Sequence, residues 1–209
     1  DIMGEPISPD EVVQQFKRMK NTAPGIDGLT YATWRWVDPK GLILALIFNT
    51  CCHNSRVPSG WKHSTVTLIH KGGEPSEMRN WRPISLQLTI YKLYTAIIAR
   101  RIASWAIRTS SFSSSQKGFL AYDGCPEHNF LLRSMVVDSR RRRKNLILEW
   151  LDIREAFPSV SHRLLLFMME RLGLSGSLIP IVQDRYSHAT IAVRNGRDSY
   201  TPKIPQRRG

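Results

Sequence analysis

The sequence predicts an α/β fold, mostly helical with a few short strands. Apolar residues recur at helical spacing from about Leu88 to Ile107, where Tyr91, Leu93, Tyr94, Ile97, Ile98, Ile102 and Trp105 mark one long helix. Two short runs read instead as strands: Thr65 to Ile69, which is β-branched, and Leu146 to Leu151, which is apolar almost throughout. Turn-rich stretches such as Asn21 to Gly28 and Val57 to Gly60 divide the chain into segments of the length such elements need.

Taken in order, Ser8-Pro9-Asp10-Glu11 is a capping box with Pro at the first helical position, and Val12, Val13, Phe16 and Met19 follow at helical spacing. A strongly apolar helix runs from about Gly41 to His53, with Cys51 and Cys52 in its core. The strand Thr65 to Ile69 runs into the turn Lys71-Gly72-Gly73 and a polar loop reaching Trp81. After the long helix, the Ser-rich stretch Ser110 to Ser115 is a loop. A helix is expected from Pro126 to Asp138, then five consecutive cations, Arg140 to Lys144, and the apolar run ending at Asp152. That run is expected to be a buried strand. Ser161 starts a Leu- and Met-rich helix that Gly173 ends, a helix follows near Gly176 to Tyr186, and Thr190 to Val193 with Tyr200 to Ile204 flank the hairpin signal Asn195-Gly196.

Lys and Arg number 30 against 17 Asp and Glu, a net charge of +13, which favours a polyanionic partner, most simply nucleic acid. No basic amphipathic helix argues for a membrane surface, and the longest apolar run, Gly41 to Phe48, is far short of the roughly 20 residues that span a bilayer. The start, Asp1-Ile2-Met3-Gly4, has neither an initiator Met nor a signal-peptide pattern, so an excised piece of something longer is expected. Three cysteines without CxxC spacing argue against a zinc site or a disulfide framework and suit a reducing, intracellular setting.

Asp152 is the residue to which chemistry attaches first. A carboxylate at the C-terminal end of a strand either caps the following turn or helps to hold a divalent metal over a cleft. Phe157 reads in isolation as a core aromatic, Lys71 as a solvated turn residue and Arg82 as a member of an ion pair. Arg140, Arg141, Arg142, Arg143 and Lys144 form either a solvated loop or a contact with a nucleic-acid backbone. His128 and His162 have no second His or Cys at ligand spacing and read as structural.

Several segments together resemble reverse transcriptases of non-LTR retrotransposons, of the site-specific kind that inserts in ribosomal DNA. Leu151-Asp152-Ile153-Arg154-Glu155-Ala156-Phe157-Pro158-Ser159-Val160 is similar to that family's first catalytic-aspartate motif. Ala23-Pro24-Gly25-Ile26-Asp27-Gly28-Leu29 looks like its upstream motif. Trp61-Lys62 with Leu68-Ile69-His70-Lys71-Gly72-Gly73 resembles the fingers strand and turn. Asn80 to Leu86 resembles the Arg-Pro-Ile-Ser motif that opens the fingers helix. Gln116-Lys117-Gly118-Phe119, Cys125 to Asn129 and Gln206 to Gly209 resemble later motifs, and the matches keep family order over almost the whole chain.

The resemblance implies fingers over residues 1–144 and the first part of an incomplete palm sheet over 145–209. It implies an RNA-directed DNA polymerase that uses deoxynucleoside triphosphates, an RNA template, a DNA primer or target and two Mg²⁺ (or Mn²⁺) ions. The nucleus is the implied location, no membrane partner is implied, and the chain would be one part of a larger polyprotein. Asp152 would hold metal with the backbone carbonyl of Ile153. Phe157 would be the steric gate against ribose, and Lys71 and Arg82 would bind the triphosphate. Gln116, Lys117 and the run Arg140 to Lys144 would contact nucleic acid. The family's Asp-Asp motif occurs nowhere in this chain, so at most half of a two-metal site is expected. A decayed or repurposed copy that binds nucleic acid without catalysis is the alternative. An intron maturase or a telomerase is a second one, disfavoured by the Trp61 to Arg82 spacing and the Cys125 to Asn129 segment.

Overall fold

The computed structural model describes residues 4–120, 123–153, 156–174, 176, 178–196 and 199–208. Helix α1 (Pro9–Arg18) starts where expected, with the Ser8 hydroxyl accepting the Glu11 N–H at 3.1 Å. A short helix not foreseen, α2 (Tyr31–Val37), is capped by the Thr30 hydroxyl. Its buried Tyr31, and the Trp34 indole donating to Thr89, tie it to the core. Helix α3 (Leu42–Asn54) is capped from a distance: the buried Asp38 carboxylate accepts the N–H groups of Leu42 and Leu44.

Strand β1 (His63–His70) pairs antiparallel with β2 (Trp81–Leu86), a strand the sequence reading did not find. Pro83 argues against a strand, but β2 is the sheet edge, where a missing N–H costs no ladder bond. The Arg-Pro-Ile-Ser segment is therefore this strand, and the long helix α4 (Thr89–Arg108) opens only after it. Helix α5 (Cys125–Arg142) runs four residues past its expected end, so Arg140 to Arg142 form its last turn and not a loop. Cations suit that position, facing the negative end of the helix dipole.

The buried strand expected over 146–151 does not form. Residues 144–153 have no regular structure, and Leu146, Ile147, Leu148, Trp150 and Leu151 are exposed. A strand needs a neighbour to satisfy its backbone N–H and C=O groups, and no described strand pairs with this one.

The short helix α6 (Ala156–Ser159) follows, then α7 (His162–Arg171), capped by Ser161 as expected. Gly173 ends it at φ +76°, a conformation that favours glycine. Helix α8 (Leu178–Tyr186) leads into β3 (Thr190–Val193) and β4 (Ile204–Pro205), with Asn195-Gly196 in the connection between them. Strand β3 pairs parallel with β1, His63 opposite Thr190 and Val66 opposite Val193, giving the order β2-β1-β3-β4. The sheet thus draws residues from both sides of position 144.

One core dominates. Val12, Phe16, Leu44, Phe48, Tyr91, Leu93, Tyr94 and Ile97 bury together, and Phe48 meets the rings of Trp61 and Tyr94. Cys51 belongs to this core, and Cys52 is half-buried against the Tyr94 hydroxyl. Arg101 fastens α4 to α1 through a two-point contact with Glu11, 2.6 and 2.9 Å. Asp184 fastens α8 to the turn before β1, accepting from the Lys62 ammonium and the Val57 N–H. No described helix is long and apolar enough to cross a membrane.

Candidate functional site

The β1–β2 hairpin places the first two candidate residues. Ile69 lies opposite Arg82 and His70 opposite Trp81, so the tip connecting the strands begins at Lys71. Side chains alternate between faces along a strand. Arg82 therefore shares a face with Ile69, and Lys71 follows immediately where β1 ends. The tip is folded on itself: the Lys71 N–H donates to the Asn80 carbonyl at 2.7 Å, the Asn80 amide to the Glu74 carbonyl, and the Trp81 indole to the Pro75 carbonyl. Lys71 also reaches the Arg79 carbonyl with Nζ, at 3.3 Å. Both Lys71 and Arg82 are exposed, which leaves their charges available to an anion above the hairpin.

The upstream motif packs beside this sheet. A Cβ at Gly25 would sit 2.8 Å from the Leu88 backbone N, so only glycine allows this approach. Ala23 to Ile26 then wall a cavity of about 200 Å³ together with Thr65, Thr67, Leu86, Arg194 and Tyr200. The Thr67 hydroxyl is buried there without a partner among the described residues. Sequence reasoning missed Thr65, Thr67, Arg194 and Tyr200. They meet only because β1 and β3 pair across more than a hundred residues of chain, which no local pattern signals.

The remaining candidates stand on the other side of α4 in sequence. Lys117 is half-buried and paired with Glu127 at 2.7 Å, while the Gln116 amide donates to the Gly118 carbonyl. Phe119, at φ +61°, presents its ring edge-on to Phe157 with centroids 6.0 Å apart. Phe157 is 71% exposed, so it is not a core aromatic within this chain. Arg142 pairs with Asp138 at 2.8 Å, whereas Arg143 caps α5 in a left-handed conformation. Asp152 and Ile153 are exposed at the end of the irregular segment 144–153. Arg154 and Glu155 of the aspartate motif, and Gly209 of the last motif, lie outside the described residues. His162 stacks on Tyr186 at 3.9 Å, a packing role. Among the described residues no three His, Cys, Asp or Glu side chains gather as a metal site.

Residues 69–205 match the model of the family described as reverse transcriptase (RNA-dependent DNA polymerase). The chain belongs to the reverse transcriptase family. Within it, the chain is 31% identical over 205 residues to a Pol polyprotein from the type-1 retrotransposable element R2 of Popillia japonica, covering 98% of this chain and 28% of that protein. It is 30% identical over 172 residues to the corresponding polyprotein of Nasonia vitripennis, 82% of this chain and 16% of the relative. It is also 31% identical over 152 residues to the RNA-directed DNA polymerase from mobile element jockey of Drosophila melanogaster, 72% and 17% respectively. The chain thus spans well under a third of the length of these curated relatives. Reverse transcriptases as a family use divalent metal.

The family match begins at the hairpin end that carries Lys71 and Arg82 and runs through Asp152 to the end of β4. In this reverse transcriptase chain the hairpin candidates are set by a paired ladder. Asp152 ends an irregular segment whose apolar side chains are exposed, and Phe157, in α6, packs against Phe119 alone among the ring contacts described.

Proposed function

We propose that the chain is the fingers region, residues 1–144, and the first part of the palm, residues 145–209, of a non-LTR retrotransposon's RNA-directed DNA polymerase. The whole enzyme would copy an RNA template into DNA, extending a DNA primer with deoxynucleoside triphosphates in the nucleus, as one part of a larger polyprotein. The observation that carries this reading is the family match over residues 69–205. The relatives' names favour a catalytic parent over a copy that only binds nucleic acid.

Lys71 and Arg82 take the triphosphate in this reading. Phosphoryl transfer is mostly positioning and charge stabilisation, and two exposed cations at one end of a hairpin suit that task. Arg82 offers a fork for two phosphate oxygens and Lys71 a point charge. Asp152 and the Ile153 carbonyl are hard oxygen donors in the open, which fits Mg²⁺ or Mn²⁺, ions that keep waters and substrate phosphates as their other ligands. The metal would stabilise charge on the reacting phosphate. The Asp152 carboxylate would anchor it and the Phe157 ring would lie under the sugar, leaving no room for a 2′-hydroxyl. Arg140, Arg141, Arg143 and Lys144 are exposed cations for the nucleic-acid backbone, with Gln116 nearer the motif loop.

The test uses the full-length parent. Phe157→Ala should admit ribonucleotides while deoxyribonucleotides still react; Asp152→Ala should abolish incorporation of both. An unchanged preference for deoxyribonucleotides in Phe157→Ala would remove the gate assignment. A parent that binds RNA but incorporates nothing would favour the repurposed copy. The 209-residue chain alone should bind RNA in a salt-sensitive way and extend no primer, since it lacks an Asp-Asp pair.

A further inference from the structure

A second cavity, of about 250 Å³, lies between α4, α7 and α8. Its walls are largely apolar, formed by Ile98, Ile102, Leu165, Met169 and Val182 among others, and Lys71, Arg82 and Asp152 take no part in them. One cation opens into it. Arg185 is only 8% exposed, and its Nη1 has no hydrogen-bond partner among the described residues. Its guanidinium lies 5.0 Å from the Tyr91 ring centroid and 5.8 Å from that of Tyr186. The carboxylate adjacent in sequence, Asp184, is committed elsewhere: Oδ1 accepts from Lys62 and Oδ2 from the Val57 N–H.

A buried cation without an anion is costly, because the desolvation of the charge is not offset. The two aromatic faces attract the guanidinium and the Tyr91 hydroxyl bonds to it, but Nη1 has no acceptor among the described residues. The planar fork of arginine matches a carboxylate, which would accept two of its N–H groups at once. The apolar walls beside it would cover a hydrocarbon body. At this volume the ligand is smaller than a drug-sized molecule, roughly one ring with a short linker.

We propose that this cavity binds a small carboxylate with an apolar body, its carboxylate held by Arg185 and its body enclosed between α4, α7 and α8. The Tyr91 hydroxyl, whose pKa is raised by burial and partly restored by the charge and hydrogen bond of Arg185, accepts from the guanidinium and keeps its own proton to donate.

The experiment is thermal unfolding of the 209-residue chain with 3-phenylpropanoate as the probe and its neutral amide as the control. Ligand that binds only the folded chain, at ten times its dissociation constant, should raise the midpoint by about 3–6 °C; the amide at the same concentration should not. Arg185→Met keeps the stem, removes the charge and should abolish the shift, while its own midpoint equals or exceeds the parent's because an unpaired buried charge is gone. Ala99, on α4, also lines the cavity; Ala99→Leu narrows it with Arg185 intact, and should abolish the shift as well. No shift in the parent chain, an equal shift with the amide, or a shift that survives Ala99→Leu would each overturn the site. If Arg185→Met fails to fold, the charge is structural and the proposal falls unless Ala99→Leu and the amide both behave as stated.

Discussion

Helix α4 and the segment 144–153 are both rich in apolar residues, and they end in opposite states. Leu93, Tyr94 and Ile97 of α4 are at most 1% exposed, whereas Ile147 and Leu151 are both 90% exposed and Trp150 is 75%. The difference lies in how each segment satisfies its backbone. A helix closes its own hydrogen bonds and needs only a surface for one face. A strand needs a neighbour on at least one edge before its side chains have a sheet to stand on. Helix α4 finds α1, α2, α3 and Trp61; the 144–153 segment, which carries Asp152, finds no described strand. The residues proposed for phosphate binding stand at the end of a paired β1–β2 ladder. The residue proposed for metal rests on a part that is open within this chain.

The largest effect that would sharpen this contrast comes from Phe48→Ala. Phe48 is wholly buried and touches two other rings, so its loss should cost about 3–5 kcal/mol in urea unfolding. Next is Glu11→Gln, which leaves Arg101 buried without its carboxylate. Breaking a fully buried pair costs several kcal/mol, but Glu11 is 24% exposed and Arg101 keeps the Pro6 carbonyl, so about 2 kcal/mol is expected. A loss below about 0.5 kcal/mol would mean that this contact does not fasten α4 to α1.

A third, pH-dependent effect concerns the attachment of α8. Burial alone would raise the Asp184 pKa, but the Lys62 ammonium, the Val57 N–H and Arg56 outweigh it and hold the carboxyl below its ordinary value. The folded pKa is then lower than the unfolded one. Its contribution is complete above the ordinary aspartate range and is lost as pH falls through the lower folded value. Asp184→Asn should therefore flatten the acid side of the stability–pH curve and leave its shape near neutrality unchanged; an unaltered acid slope would deny Asp184 this role.

The smallest expected effect tests the open region. Ile147→Ala and Leu151→Ala remove large apolar side chains that touch little, and each should change stability by no more than about 0.5 kcal/mol. A cost for Leu151→Ala comparable to that for Phe48→Ala would erase the contrast.

Where the physics is local, the sequence is readable. Ser8 and Ser161 cap helices because a hydroxyl accepts an N–H three residues on, and Gly173 stops α7 because its φ is positive. The helical spacing of α4 survives intact. Helix α2 was illegible because its seven residues hold too few apolar repeats, and Tyr31 and Trp34 earn their places only through contact with the core. Strand β2 was hidden by Pro83, which is harmless only at an edge. The identities of Lys71, Arg82, Asp152 and Phe157 came from motif order, and the hairpin register added that the first two meet at one end of the β1–β2 ladder.

The sequence by itself determined the class of fold, the caps, the long helix, the basic charge and the order of motifs, because each depends on residues a few positions apart or on the sum of charges. Only the tertiary structure decided that β1 lies parallel to β3, that Gly25 and Arg194 border one cavity, that Arg185 is buried with no ion-pair partner among the described residues, and that the run before Asp152 stays open. Those outcomes depend on whether a segment meets a complementary surface, and that surface is built from residues far away in the chain.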